Sequence, residues 1–172
     1  MKKYVILLRG INVGGKNTLP MKALCELLDA EHYQNVKTYI QSGNVVLSAA
    51  QRPDDKLSHM IERRFGFVPA IMSLSEAEFL NTVKRNPFTT EDGKSLHFYF
   101  CNTAPRLDAE RLQSLAAVTE RYELVGKVFY LHAPDGIGRS KLAAKVEACL
   151  GVPTTARNLN TVNKLVELLK AD

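Results

Sequence analysis

Stretches of β-branched, aromatic and aliphatic residues mark three strands near the start of the chain. They are YVILLR at residues 4–9, VKTYIQ at 36–41 and NVVLSA at 44–49, and their composition is typical of strands. Only Ser42 and Gly43 separate the second stretch from the third. Because two-residue hairpin turns need glycine, this spacing predicts a tight hairpin.

Two segments with helical periodicity lie between the predicted strands. Residues 20–30 place their apolar side chains on one helical face, and Pro20 suits the first helical turn. Residues 53–66 show the same period, open with proline and acidic residues and close on Gly66. A strand is predicted at 67–74. The order β-α-β-β-α-β is that of the ferredoxin-like, or split β-α-β, unit.

A connecting segment follows this unit. Ser75 and Glu78 form the S-x-x-E pattern of a capping box, which predicts a short linking helix. Asn86-Pro87 predicts its end, because the residue before a proline disfavours helical geometry. We therefore divide the chain into a first half at 1–83, a linker at 84–95 and a second half at 96–172.

The second half repeats the order of strands and helices without repeating the amino-acid sequence. The fold class predicted is α+β, with two ferredoxin-like halves, a linking helix and an extra C-terminal helix. The segments of the second half are a strand at 95–102, a helix at 108–118, strands at 121–125 and 127–133 around Gly126, a helix at 140–151, an extended stretch at 153–157 and a final helix at 158–170.

The composition is typical of a globular protein and gives a weak excess of positive charge. The chain has 172 residues, 45% hydrophobic and 24% charged, with a net charge of +5, which is near the globular average. The apolar run before Arg9 is too short for a signal peptide and no stretch is long enough to span a membrane, so we expect a cytoplasmic protein without a membrane partner. The sequence does not define an oligomeric state.

The segment RGINVGGKN after the first strand resembles a phosphate-binding loop but departs from it. The pattern G-x-x-x-x-G-K-[ST] fits from Gly10 to Lys16, whereas Asn17 stands where magnesium needs a hydroxyl. Pro20 also predicts that the helix begins beyond the lysine rather than at it. A nucleotide hydrolase is therefore not indicated.

The same glycines allow a different anion site. Glycine permits positive φ and exposed amides, and the neighbouring cations add charge, so the segment predicts an anion-binding nest. The simpler alternative is a structured crossover loop, since glycine and asparagine are turn formers. The residues concerned are Arg9, Gly10, Asn12, Gly14, Gly15, Lys16 and Asn17.

Further candidate contacts lie elsewhere in the chain. Gln41 borders the predicted hairpin turn, and the sequence does not show whether it lies on the same edge as the glycine-rich loop. Arg139 and Lys141 flank Ser140 at a predicted helix start, where an anion would relieve their conflict with the helix dipole. Arg157-Asn158 precedes the last helix, where Asn158 or Asn160 is also a simple cap.

The segments quoted next resemble one known family. RGINVGGKN, Met21-Lys22-x-Leu24 and TYIQSGNVV occur in the first half, and GKVFYL, GRSKL and LGVPTTARNLNTVNKL occur in the second. Together they resemble the bacterial domain-of-unknown-function family numbered 1697, which typically has tryptophan where this chain has Leu159. The resemblance implies a two-part, ferredoxin-like α/β architecture and no established activity.

Metal and cofactor chemistry is not indicated. His97 and Cys101 lie four positions apart on one predicted strand, about 13 Å and too far to share one ion. With His132, only a two-ligand site is conceivable. The three cysteines form no CxxC pair, and no hydrolase elbow or paired acids appear. We predict no cofactor and no metal, and we identify no catalytic constellation.

Three classes of function remain open. The first is a binding protein for a phosphate-bearing or other anionic ligand, with nucleic acid as one version. In the nucleic-acid version, bases would stack on aromatic side chains of the second-half strands, as they do on RNA-binding sheets. These aromatics are Phe98, Tyr99, Phe100, Phe129 and Tyr130. The second is an enzyme acting on a small anionic metabolite, and the third is an interaction protein that docks through an exposed apolar stripe of the last helix.

Overall fold

The computed structural model describes residues 1–53 and 55–171. Its strands are β1 (Lys2–Arg9), β2 (Gln34–Tyr39), β3 (Asn44–Ala49), β4 (Ala70–Ser75), β5 (Leu96–Cys101), β6 (Arg121–Val125), β7 (Val128–His132) and β8 (Thr154–Asn158). Its α-helices are α1 (Met21–Ala30), α2 (Asp55–Phe65), α3 (Glu76–Lys84), α4 (Ala109–Leu115), α5 (Val146–Leu150) and α6 (Leu159–Lys170). No helix among the described residues is long and apolar enough to cross a bilayer.

The first four strands form one antiparallel sheet in the order β2-β3-β1-β4. This order confirms the ferredoxin-like unit, because β1 and β2, which α1 joins, alternate in the sheet with β3 and β4, which α2 joins. Ile6 and Leu47 on one face of the sheet join Leu24 of α1 and Ile61 of α2 in one buried cluster. The predicted helical faces are therefore the faces that supply the core.

The other four strands repeat that arrangement as β6-β7-β5-β8. Tyr99 and Phe129 on one face pack in a cluster with Leu112 of α4 and Val146 of α5. The extended stretch predicted at 153–157 is β8, which pairs with β5 at the edge of the sheet. The fold class predicted from the sequence is confirmed.

The chain divides into two compact units. The first contains Met1–Asn81 together with the chain from Asn163 onward, and the second contains Thr82–Val162. Most of α6 is thus grouped with the first unit, whereas the sequence assigned the whole final helix to the second half. Residues 85–95, most of the predicted linker, contain neither helix nor strand.

The capping box that opens α3 is present. The Ser75 hydroxyl accepts a bond from the Glu78 amide at 3.1 Å, and the Glu78 carboxylate accepts one from the Ser75 amide at 2.9 Å. The same carboxylate also accepts hydrogen bonds from both terminal nitrogens of Arg52, at 2.7 and 3.1 Å. Reciprocal capping satisfies two amides that a helix start otherwise leaves open.

Two local predictions are wrong. The hairpin between β2 and β3 closes over four residues, 40–43, rather than two, because Ile40 adopts φ +51 and ends the strand at Tyr39. The helix predicted at 140–151 is instead a 3₁₀ turn at Ala143–Lys145 followed by the five-residue α5, and another 3₁₀ turn, Ile137–Arg139, precedes the segment. Ser140 is extended between the turns, and its hydroxyl accepts the Ala143 amide.

Candidate functional site

One end of the first sheet gathers three loops. Because β1 and β2 run in the same direction and β3 and β4 oppose them, the first pair ends where the second pair begins. The loops 10–20, 40–43 and 66–69 therefore lie at the same edge, which we call the rim. The sequence did not settle whether the glycine-rich loop and the hairpin tip share an edge, and the structure shows that they do.

The glycine-rich loop is a small hairpin. The Asn12 amide donates to the Asn17 carbonyl at 3.1 Å, and the Lys16 amide donates to the Val13 carbonyl at 3.0 Å. Gly14 and Gly15 occupy the turn with φ of +58° and +73°. Positive φ at both central positions is the geometry of a type I′ turn, which strongly favours glycine.

The Asn12 side chain joins this loop to its neighbour. Its amide nitrogen donates to the Gln41 carbonyl at 2.8 Å and to the Leu19 carbonyl at 2.9 Å, and its oxygen accepts the Leu19 amide at 2.7 Å. Asn12 itself has φ +52, a region that asparagine tolerates better than most residues. One side chain thus fixes the relative position of two rim loops.

Two more asparagines hold the rim loops. The Asn17 amide nitrogen donates to the Gly10 carbonyl at 2.9 Å. The Asn44 amide nitrogen donates to the Tyr39 carbonyl at 3.0 Å and lies 3.1 Å from the Ser42 hydroxyl. Asn12, Asn17 and Asn44 therefore all bond to the backbone of the rim loops or their flanking residues.

The loop's hydrogen bonds limit the predicted nest. The amides of Asn12 and Lys16 are directed to carbonyls within the loop, so neither points at a ligand. The exposed Gly14 and Gly15 sit at the outward tip beside the exposed Lys16. The structure therefore places Lys16 on a hydrogen-bonded turn rather than over a ring of converging amides.

The charge of the rim is positive. The loops 10–20, 40–43 and 66–69 contain neither aspartate nor glutamate. The exposed Arg9 immediately precedes the first loop, and the exposed Lys16 lies within it. Arg63 and Arg64 lie in the last turn of α2, which ends just before the third loop. A surface of this kind attracts anions and repels other cations.

Exposed apolar side chains accompany these charges, a feature that the sequence analysis missed. Val13, Ile40 and Val68 are 67%, 50% and 60% exposed, and each belongs to a different rim loop. A left-handed conformation at a β-branched residue such as Ile40 is strained. The only signal in the sequence was an apolar side chain beside a turn, which is also typical of a strand end.

The segment 139–141 does not have the predicted geometry. Arg139 ends a 3₁₀ turn, and the next α-helix begins only at Val146, so no α-helix dipole acts on Arg139 or Lys141. Both side chains are exposed, whereas Ser140 is 9% exposed. The predicted conflict between these cations and a helix dipole is therefore absent, and no anion is needed to relieve it.

Residues 157 and 158 have structural roles in the second unit. The Asn158 side-chain oxygen accepts the Thr161 amide at 3.0 Å, which confirms that it caps α6. One terminal nitrogen of Arg157 donates to the Ala156 carbonyl at 2.8 Å. Burial lowers the pKa of the Arg157 guanidinium to about 10.

Burial argues against a sheet-face RNA platform. The five strand aromatics proposed for stacking are each 6% exposed or less, and base stacking needs an open ring face. Val162, Leu165 and Leu169 of α6 are also buried. The last helix therefore does not offer the exposed apolar stripe that the interaction-protein reading requires.

The structure does not assemble a metal centre within residues 1–53 and 55–171: no group of three or more His, Cys, Asp or Glu side chains is placed to hold an ion. Because Leu96, not His97, pairs with His132, the two histidines point to opposite faces of the second sheet. Burial raises the pKa of the Cys101 thiol to about 11, so that thiol is neutral at physiological pH.

Fold and rim together define an α+β protein of two ferredoxin-like units, one of which carries a basic, glycine-rich rim. The chain belongs to a family described as protein of unknown function (DUF1697), whose family model matches residues 1–130. This confirms the family resemblance seen in the sequence.

A solved structure extends the comparison over nearly the whole chain. It is that of the conserved bacterial protein SP0830 from Streptococcus pneumoniae, which is 25% identical to this chain and superposes with a TM-score of 0.72. The match covers 98% of this chain and 99% of that one. No curated protein matches the chain.

Proposed function

We propose that the protein is a binding protein for a phosphate-bearing or other anionic ligand, and that the rim of the first unit is its binding surface. The observation that carries this proposal is the set of bonds made by Asn12, which holds the glycine-rich loop and the hairpin tip as one body. The backbone that carries Lys16 is therefore ordered before any ligand arrives.

Preorganisation supports a binding role. Five residues of the first loop, Gly10, Asn12, Gly14, Gly15 and Asn17, have positive φ. Glycine adopts positive φ without strain and asparagine tolerates it, and the side-chain bonds of Asn12 and Asn17 hold the loop in this conformation. A loop that is ordered in advance loses less conformational entropy on binding.

Charge supports an anionic ligand. Arg9 and Lys16 lie on the rim, whose three loops lack acidic residues. Guanidinium and ammonium groups bind phosphate through charge-assisted hydrogen bonds, which are roughly twice as strong as neutral ones. The exposed Val13 and Ile40 offer apolar contact beside the charges, which suits an anion attached to a larger body.

The test is a titration of the full chain with a fluorescein-labelled 12-base single-stranded DNA and, separately, with inorganic phosphate. Anisotropy follows the first, calorimetry the second, and both use about 50 mM salt. Binding should weaken about tenfold in Lys16→Ala, the loss expected for one charge-assisted contact. DNA binding should also fall with rising salt.

Lys94→Ala is the matched control, because Lys94 is an exposed loop lysine of the second unit. It should leave both affinities unchanged. Wild-type protein that binds neither probe, or equal losses in the two lysine variants, would refute the proposal. Binding of phosphate without DNA would restrict the ligand to small anions.

A further inference from the structure

Each ferredoxin-like unit has a cleft at the same topological position. In the first unit it lies between the α1–β2 connection and the β3–α2 connection, with a volume of about 300 Å³. In the second unit it lies between the α4–β6 connection and the segment after β7, with a volume of about 380 Å³. Both are at the end of their sheet opposite to the end where the first strand of the unit finishes.

The arginine in the first cleft is already engaged. Both terminal nitrogens of Arg52 reach the Glu78 carboxylate, and one of them also donates to the Ser73 carbonyl at 2.9 Å. Its guanidinium lies 5.7 Å from the centre of the Tyr4 ring. Such bidentate pairing with an added ring contact gives Arg52 a structural role.

In the second cleft the acids are engaged. The Glu120 carboxylate accepts the Ala117 amide at 2.8 Å. The Asp135 carboxylate accepts the Thr119 hydroxyl at 2.5 Å, a bond that links the two walls of the cleft. These bonds fix both carboxylates in place but leave their negative charge in the cleft, so an anionic group would have to lie beside the basic side chains rather than the acids.

The cations of this cleft differ from Arg52. Arg139 and Lys141 line it, and within the described chain neither is seen to form an ion pair or a side-chain hydrogen bond. Ser140 between them is buried and is held by the Ala143 amide at 3.0 Å. The backbone that carries both cations is therefore fixed, while their charged groups remain open to a ligand.

We propose that the second cleft is a small-molecule site, distinct from the rim, for a ligand with a phosphate or carboxylate group. Arg139 and Lys141 bind the anionic group, and the wall formed by Leu115, Ala116 and Ala117 contacts the rest of the ligand. The volume lies within the range of natural small-ligand pockets. The unit-one cleft, whose arginine is occupied and whose remaining Lys/Arg side chain is Lys56, provides an internal comparison.

The experiment is a two-dimensional amide NMR titration of the full chain with inorganic phosphate and, separately, with succinate, at constant pH and ionic strength. Saturable shifts are expected in the amides of residues 135–141 and 114–120, with little change in residues 49–53. A response to phosphate alone or to succinate alone identifies which anionic group the site selects.

Arg139→Gln and Lys141→Gln should each weaken binding of the preferred anion about tenfold, as expected for losing one charge-assisted contact. Lys145→Gln is the matched control, because Lys145 is exposed on the same segment and does not line the cleft. Lys16→Ala should leave these shifts intact, so failure at the rim and failure at the cleft are distinguishable.

Three outcomes would overturn the proposal. The first is the absence of saturable shifts at the second cleft with either anion. The second is an equal response of the first-unit cleft, which would show unspecific accumulation of anions. The third is an equal effect of Lys145→Gln, which would show that only general surface charge matters.

Discussion

At the scale of single residues, Asn12 shows how one side chain determines a surface. Asparagine is suited to the task because it donates and accepts through one planar group and tolerates positive φ. In this position it makes three hydrogen bonds of 2.7 to 2.9 Å to two loops. The sequence indicated either a nest or a turn-forming role for Asn12, but its link to Gln41 joins positions 29 apart and has no local signature.

Replacement of Asn12 by aspartate tests this role. Asn12→Asp keeps the oxygen that accepts the Leu19 amide and removes both donated bonds, so we expect the free energy of unfolding to fall by about 1 to 3 kcal/mol. Urea denaturation measures the change. Asn17→Asp removes one exposed bond and should cost less. If the two substitutions are equal, Asn12 has no special role.

His97 predicts a pH dependence. Its Nδ1 atom is buried without a hydrogen-bond partner within the described chain, and burial lowers the pKa of the ring below 6.5. Below pH 6.5, His97 becomes protonated in the unfolded chain but stays largely neutral in the folded chain until the pH reaches its lower folded pKa. The stabilising contribution is therefore present above pH 6.5 and is lost as the pH falls towards the folded pKa.

The comparison of His97→Leu with the wild type isolates this contribution. Urea midpoints measured from pH 7.5 to 5.5 should fall less steeply in the variant, because its unfolded state has one fewer proton to bind. His59→Leu, a change on the exposed outer side of α2, serves as a surface control. Parallel pH profiles for wild type and His97→Leu would contradict the prediction.

At the scale of elements, the two wrong secondary-structure predictions have local causes. The strands and most helices were predicted to within a few residues because their apolar spacing decides which face is buried. The β2–β3 loop was missed because Ile40 belongs to the class of side chains that favours strands, yet it adopts φ +51. Segment 137–150 was missed because its apolar spacing is also compatible with 3₁₀ turns that place Leu142 and Val146 in the core.

The β2–β3 loop gives a pair of substitutions with opposite signs. Ile40→Gly should raise stability by about 0.5 to 1 kcal/mol, because glycine adopts positive φ without strain and the lost side chain is half exposed. Gly43→Ala should lower it, because a Cβ at φ +94 would lie 2.7 Å from the Leu8 Cβ. Thermal unfolding measures both, and changes of the same sign would contradict the assignment.

At the scale of the whole molecule, the duplicated β-α-β-β-α-β order was predictable and the grouping of the last helix was not. Periodicity reports which face of a helix is apolar, but not which unit that face joins. The candidate site shows the same limit. Glycines and cations of one loop were visible in the sequence, whereas their alignment with the hairpin tip depended on strand direction.

The last helix gives a prediction at this scale. Leu165 is fully buried and belongs to the first unit, although it lies far from residues 1–81 in sequence. Leu165→Ala should lower the free energy of unfolding by about 2 to 5 kcal/mol, measured by urea denaturation. Glu167→Ala, on the exposed side, should change it by less than about 0.5 kcal/mol. A neutral Leu165→Ala would contradict the burial of this helix.

The division of the chain also bears on its synthesis. The second unit is one uninterrupted segment, whereas the first is completed only by residues beyond Asn163, including Leu169, whose carbonyl receives the Lys3 ammonium at 2.7 Å. Domains generally fold as their residues leave the ribosome. Because residues 82–162 lie between the two parts of the first unit, that unit acquires its full set of contacts only after the whole second unit has been synthesised.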